Sequence, residues 1–300
     1  MEPAELAAAI GQHAARLRLC GSDTGIVEAE LRATVLEIAG ELEALCNNAF
    51  VAQGHIPEHD CGGSPLLHLL KTMSGHKDCI TTIVALGEDA FASSSDDCTI
   101  RIWDTASGKC RVELTGHQDA VCCIAVLGSG CIISGSKDKA LKTWETLNGQ
   151  CLATLTGHKR TVSCLAGLTE NCCVSGAMDR SLRIWDLAKG ACTTTLEGHR
   201  DIVLCVAALA NGQIASGSND KTVRLWEIAS GSCAATLEGH RLAVCGLATL
   251  GTDRLASASK DKAIKIWHLE TATCLSTLVG HESYVRSVAA LPSVDRLLSV

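Results

Sequence analysis

Short apolar runs alternate with polar breaks through most of this chain, and they return at a fixed interval. In one period the pattern predicts four strands, near 120–126, 131–136, 140–145 and 151–155. Gly, Lys-Asp and Asn-Gly stand at the breaks, the residue types that tight turns require. The first strand of the group, Val121-Cys-Cys-Ile-Ala-Val126, is apolar at successive positions. A strand of that kind is covered on both faces.

The interval is explicit. Gly-His falls at His76, His117, His158, His199, His240 and His281, each 41 residues after the last, and all five tryptophans keep the same step. A period of about 40–45 residues holding four strands predicts an all-β fold, a β-propeller of four-stranded blades. Five periods are complete over residues 66–300. A sixth supplies only Val285–Ala290 and Leu297–Val300, and its Ser299 lies 18 residues beyond its histidine where the others lie 17 beyond theirs. An open ring would expose strand edges. The expectation is therefore a propeller truncated in its sixth blade, part of a longer chain that completes six or, better, seven blades. Leu66–Met73 precedes the first Gly-His as Arg111–Leu114 precedes the second, so it is expected to supply an outer strand to the last blade.

Residues 1–50 read as a helical segment. Leu6, Ile10, Ala14 and Leu17 share one side of a helix, and Leu31, Val35, Ile38, Leu42 and Leu45 follow a coiled-coil spacing. The second helix, 26–47, is expected to close on the first or on the propeller, to self-associate, or to dock a partner. Residues 51–65 read as a linker, broken by Gly54, Pro57, Gly62, Gly63 and Pro65. His55, His59, Asp60 and Cys61 are metal-ligand types, but Pro57 prevents a regular helix from bringing them together. No metal or cofactor is expected there.

Charge narrows the partners. Residues 1–65 carry 10 acidic and 3 basic side chains, whereas residues 66–300 carry 23 of each. A neutral repeat region offers no general attraction to phosphate backbones or anionic membranes, so neither nucleic acid nor membrane is expected. Of the 18 cysteines, Cys110, Cys151, Cys192, Cys233 and Cys274 keep the 41-residue step, as do Cys123, Cys164 and Cys205. Equivalent places in different blades call for small apolar residues, not disulfides. Met1-Glu-Pro-Ala-Glu5 lacks the basic and apolar stretches of a secretory signal. The expectation is reduced thiols in a cytoplasmic or nuclear protein that is not secreted.

Each period also holds Ser, Asp and Trp at fixed offsets from its histidine. The sets are His76, Ser93, Asp97, Trp103; His117, Ser134, Asp138, Trp144; His158, Ser175, Asp179, Trp185; His199, Ser216, Asp220, Trp226; and His240, Ser257, Asp261, Trp267. Ser, His and Asp are the parts of a hydrolase triad. An enzyme needs one set in one cleft, whereas five copies indicate a task performed once per blade. A chain from Trp through Ser and His to Asp would satisfy each buried polar group and tie the strands together. No catalytic residue is assigned.

These residues resemble the WD-repeat family of β-propellers. Gly-His, the Ser-Gly-Ser-x-Asp turn and the closing Trp-Asp match its motifs over residues 66–300, with Glu145, Glu227 and His268 replacing the final Asp and Ser94 replacing a Gly. The resemblance implies a structural role for the quartet and a top face that binds peptides or proteins. Positions carried over to that face include Lys137, Met178, Ile202, Leu204, Asn219, Lys260, Tyr284 and Arg286. Met178, Ile202 and Leu204 would form an apolar patch, and Lys260, Tyr284 and Arg286 an aromatic-basic one. The expected function is a non-enzymatic protein-interaction scaffold. The alternatives are a substrate receptor of a ubiquitin ligase or similar complex, docking through residues 1–50, and, with less support, a hydrolase.

Overall fold

A computed structural model of the protein describes residues 72–87, 89–128, 130–291 and 296–299. The expected N-terminal helical segment and linker lie outside the described residues, as does most of the expected strand from Leu66.

Five four-stranded antiparallel sheets follow one another, each with its strands in sequence order. The first holds β1 (Ile80–Ala85), β2 (Ala90–Ser95), β3 (Ile100–Asp104) and β4 (Cys110–Leu114). The second holds β5 (Val121–Val126), β6 (Cys131–Ser136), β7 (Ala140–Glu145) and β8 (Cys151–Thr156), in agreement with the pattern to within a residue at each end. The third runs β9 (Val162–Thr169), β10 (Cys172–Ala177), β11 (Leu182–Asp186) and β12 (Ala191–Leu196). The fourth runs β13 (Val203–Ala208), β14 (Gln213–Ser218), β15 (Val223–Glu227) and β16 (Cys233–Leu237). The fifth runs β17 (Val244–Leu250), β18 (Arg254–Ser259), β19 (Ala263–His268) and β20 (Thr273–Val279). A sixth sheet has two strands, β21 (Val288–Leu291) and β22 (Arg296–Ser299).

The first strands β1, β5, β9, β13, β17 and β21 pack side by side in that order. Together they line one cavity of about 280 Å³, to which Thr82, Ile124, Leu165, Val206, Ala248 and Ala289 each contribute from a different sheet. The sheets therefore radiate from a common axis as propeller blades. Among the described residues, β21 is not packed against β1 as the other neighbours are packed together.

Burial follows from this arrangement. Second strands such as β6, β10 and β14 are covered along almost their whole length, because neighbouring blades press on both faces. Fourth strands such as β12 and β16 alternate until a buried final leucine. That leucine meets the next blade's tryptophan: Leu114 clusters with Trp144, Leu155 with Trp185, Leu196 with Trp226 and Leu237 with Trp267. Covering a leucine side chain stabilises by about 1.5–3 kcal/mol. Leu278, next in the series, is 45% exposed. Among the described residues the sixth sheet has two strands, and neither carries a tryptophan over Leu278.

One expectation requires correction at this end. The inner strand of the sixth blade starts at Val288, not Val285. Val288 already faces Ser299, the last residue of β22, and the Val285 N–H turns to the Ser259 carbonyl of the fifth blade at 3.1 Å. Thr72 and Met73, the described end of the expected outer strand, belong to no strand.

Candidate functional site

The polar quartets assemble in all five complete blades. His76 Nδ1 lies 2.9 Å from Asp97, its Nε2 2.7 Å from Ser93, and the Trp103 N–H donates to the same Ser93 oxygen at 2.7 Å. The distances repeat for His117, Asp138, Ser134 and Trp144 (2.7, 2.7 and 2.8 Å) and for His158, Asp179, Ser175 and Trp185 (2.9, 2.7 and 2.8 Å). The sets of His199 and His240 repeat the same links. In the sixth blade the extra residue does not break the pair, since His281 Nε2 reaches Ser299 at 2.7 Å.

Hydrogen positions follow from the partners. An ionised carboxylate only accepts, so Nδ1 carries the imidazole hydrogen; Nε2 then accepts from the serine hydroxyl, which accepts from the indole. This is the polarity of a hydrolase triad, but each serine is at most 1% exposed and already holds two partners. Burial pushes His117 and His240 below the ordinary imidazole value, against the opposing pull of Asp138 and Asp261, which favours the neutral ring. Burial raises the five aspartates, but hydrogen bonds from the histidine, the turn and the following backbone outweigh it. Asp97, Asp138, Asp179, Asp220 and Asp261 are all held below the usual carboxylate range.

Each aspartate also fastens two loops. Its Oδ2 accepts the N–H following the histidine, as from Lys159 to Asp179 at 2.8 Å, and its Oδ1 accepts from the turn two residues on, as from Ser181 N–H at 3.1 Å. The sequence reading missed a second serine in this turn. Ser95, Ser136, Ser218 and Ser259 accept the aspartate N–H and donate to the carbonyl of the loop after the histidine. The third blade has Ala177 at that place. The residue after each aspartate, namely Cys98, Lys139, Arg180, Lys221 or Lys262, has positive φ. The rim thus rests on rigid, repeated turns.

At this rim the first strand bulges. Register shifts leave Thr81, Cys122, Leu204 and Cys245 out of the ladder, and Ser163 occupies the same place in the third blade. A bulge re-aims a side chain, here at the mouth of the axial cavity. Of the carried-over positions, Met178 (36% exposed) and Tyr284 (52% exposed) are open at the rim. Met178 and Ile202 line one cleft between the third and fourth blades, and Leu204 is not part of its lining. The Val285–Ser259 bond brings Lys260 beside Tyr284 and Arg286, and both cations lie near Cys245. Lys137 and Asn219 are already engaged: Lys137 pairs with Asp96 across two blades at 3.2 Å, and Asn219 donates to Asp201 at 2.6 Å.

The cleft that holds Met178 and Ile202 is also lined by Lys159, Arg160, Arg180 and Arg200. The sequence reading missed these cations, because they lie next to the histidine and the aspartate, one step beyond the positions carried over. Among the described residues, one cluster has metal-ligand types, Asp78, Cys79 and Asp96, with ligand atoms within 4.8 Å of one another. Its carboxylates are already used by Cys79 N–H and Lys137.

Comparison with known proteins follows this geometry. The family described as WD domain, G-beta repeat matches residues 67–104, 108–145, 149–186, 190–227 and 231–268, one match per complete blade. The solved structure described as "Structure of U3-55K" is similar, with a TM-score of 0.71 and 28% sequence identity over 76% of each chain. No curated protein sequence matches the chain significantly. With five matched repeats and the quartet closed in each, the chain belongs to the WD-repeat family of β-propellers.

Proposed function

We propose that this protein is a non-enzymatic scaffold that presents the Asp-turn rim of its propeller to protein or peptide partners in the cytoplasm or nucleus. The observation that carries this reading is a division between two sets of polar groups. The groups with catalytic chemistry, Ser93, Ser134, Ser175, Ser216 and Ser257, are buried and hold two partners each. The exposed rim instead offers Met178, Tyr284, Lys260 and Arg286. Tyr and Arg are favoured anchors of interfaces. Rigid presentation lowers the ordering cost of binding.

The test is affinity capture with the full chain, compared with a Tyr284→Ala/Arg286→Glu variant of unchanged melting temperature. Loss of specific partners supports the rim as the binding surface, whereas an unchanged partner set contradicts it. Recovery of ligase core subunits through residues 1–65 would instead favour a substrate receptor.

A further inference from the structure

The junction of the third and fourth blades gathers four cations beside an apolar pair. Lys159, Arg160, Arg180 and Arg200 converge on a cleft of about 500 Å³ with Met178 and Ile202 beside them. All four cations are exposed, and among the described residues none is joined to a carboxylate by an ion pair. The two carboxylates in the lining are occupied. Asp179 is bound by His158, Ser181 and the Lys159 N–H, and Asp201 by Asn219 and the Ile202 N–H.

The first two blades show how such a junction is neutralised. There Lys137 of the second blade pairs with Asp96 of the first. At the third and fourth blades the residue equivalent to Asp96 is Met178, and the residue equivalent to Lys137 is Asn219, which is held by Asp201. The acid that would quench the cleft is replaced by an apolar side chain. Residues 66–300 balance 23 acidic against 23 basic residues, so the four cations of this cleft are not part of a general positive charge.

We propose that this cleft binds an acidic peptide segment of a partner protein, with an apolar residue seated against Met178 and Ile202 between anionic groups held by Arg160, Arg180 and Arg200. The inference rests on the scaffold reading and names the chemistry of one partner. Guanidinium groups pair with carboxylate or phosphate oxygens two at a time, and the apolar floor separates a peptide from a nucleic acid backbone. Carboxylate and phosphate share this chemistry, and the probes tell them apart.

The probes are 12-residue peptides with one Ile between two pairs of Glu, the same with phosphoserine in place of Glu, and the same with Gln, together with a 12-nucleotide oligothymidylate. Affinity is read by fluorescence anisotropy on the full chain. The expected result is salt-sensitive binding of the Glu or phosphoserine peptide, weakened about tenfold or more by Arg160→Glu/Arg200→Glu. The milder Arg160→Gln/Arg200→Gln pair should weaken it to a lesser degree, as should Ile→Ser in the peptide. Lys109→Glu/Lys189→Glu, the same charge change at the opposite rim, should leave binding intact. The proposal is overturned if no acidic peptide binds, if the two charge reversals act equally, or if the oligothymidylate binds as tightly and Ile→Ser has no effect. Peptides that fail while Tyr284→Ala/Arg286→Glu still sheds native partners would sink the cleft alone. Partners kept both by that variant and by Arg160→Glu/Arg200→Glu would sink the scaffold reading itself.

Discussion

Cys164 on β9 stands directly opposite Gly176 on β10, and a Cβ added to Gly176 would lie 2.6 Å from the Cys164 sulfur and 2.7 Å from Val203 of the next blade. The same pairing joins Cys123 to Gly135 and Cys205 to Gly217. In the fifth blade the sizes are exchanged: Gly246 faces Ala258, with Ala258 clustered with Val285 and Gly246 lying against the backbone of 286–288. The first blade departs from this pattern, with Thr82 opposite Ser94 and no glycine in the pair.

Gly176→Ala should therefore cost about 1–3 kcal/mol through overpacking. Adding Cys164→Gly should recover part of that loss, as the fifth blade does naturally. Denaturant unfolding of the two single variants and the double variant measures the coupling. Strictly additive losses would show that the pair does not share one space.

His158→Ala or Asp179→Ala should leave a buried partner unsatisfied and cost on the order of 1–3 kcal/mol. His281→Ala should cost less, because His281 is exposed and reaches only Ser299. Calorimetric melting of the three variants checks the ranking, and equal melting of all three would contradict it.

Stability should also depend on pH in two steps. His117 and His240 have folded values depressed below the ordinary 6.5, so the unfolded chain binds more protons as pH falls through that region. Their contribution is full above about pH 6.5 and is lost below it. The depressed aspartates act in the same direction, with full contribution above their ordinary 3.8 and loss as pH falls further. Melting temperature should be level at pH 7–8, decline below about 6.5 and fall more steeply below about 4. A rise in melting temperature between pH 7 and 5 would contradict this.

Thiol reactivity should divide by burial. Burial pushes Cys122 up to about 11 and Cys164 up to about 12, and raises Cys123 and Cys205 well above the ordinary value. Cys151 and Cys274 are exposed. Iodoacetamide at neutral pH, followed by peptide mapping, should mark Cys151 and Cys274 well before Cys123, Cys164 and Cys205. Early labelling of Cys164 would show that the blades open.

The blades were legible in the sequence because every period does the same work. Strand positions, the quartet from His76 to Trp267 and the buried Cys123, Cys164 and Cys205 all follow from one repeated wedge, whereas the second cysteine series, expected to be buried too, lies on the outer strands, with Cys151 and Cys274 exposed. What differs between blades was harder to read. Lys137 seemed a free contact on its position alone, yet it pairs with Asp96 across a junction that no single repeat contains. Arg160, Arg180 and Arg200 come from two blades, and only the packing of one against the next brings them into one cleft. The sixth blade departs for a related reason, since the bounds of β21 depend on the length of the strand beside it.

The division between buried clamps and an exposed binding rim is tested most directly by hydrogen–deuterium exchange of the full chain, alone and with a captured partner. Slowed exchange should fall on the rim turns, at 159–161, 178–181, 200–204, 260–262 and 284–286, with the opposite turns at 127–131 and 146–150 unchanged. Protection confined to those opposite turns, with the Asp-turn rim exchanging as before, would contradict it.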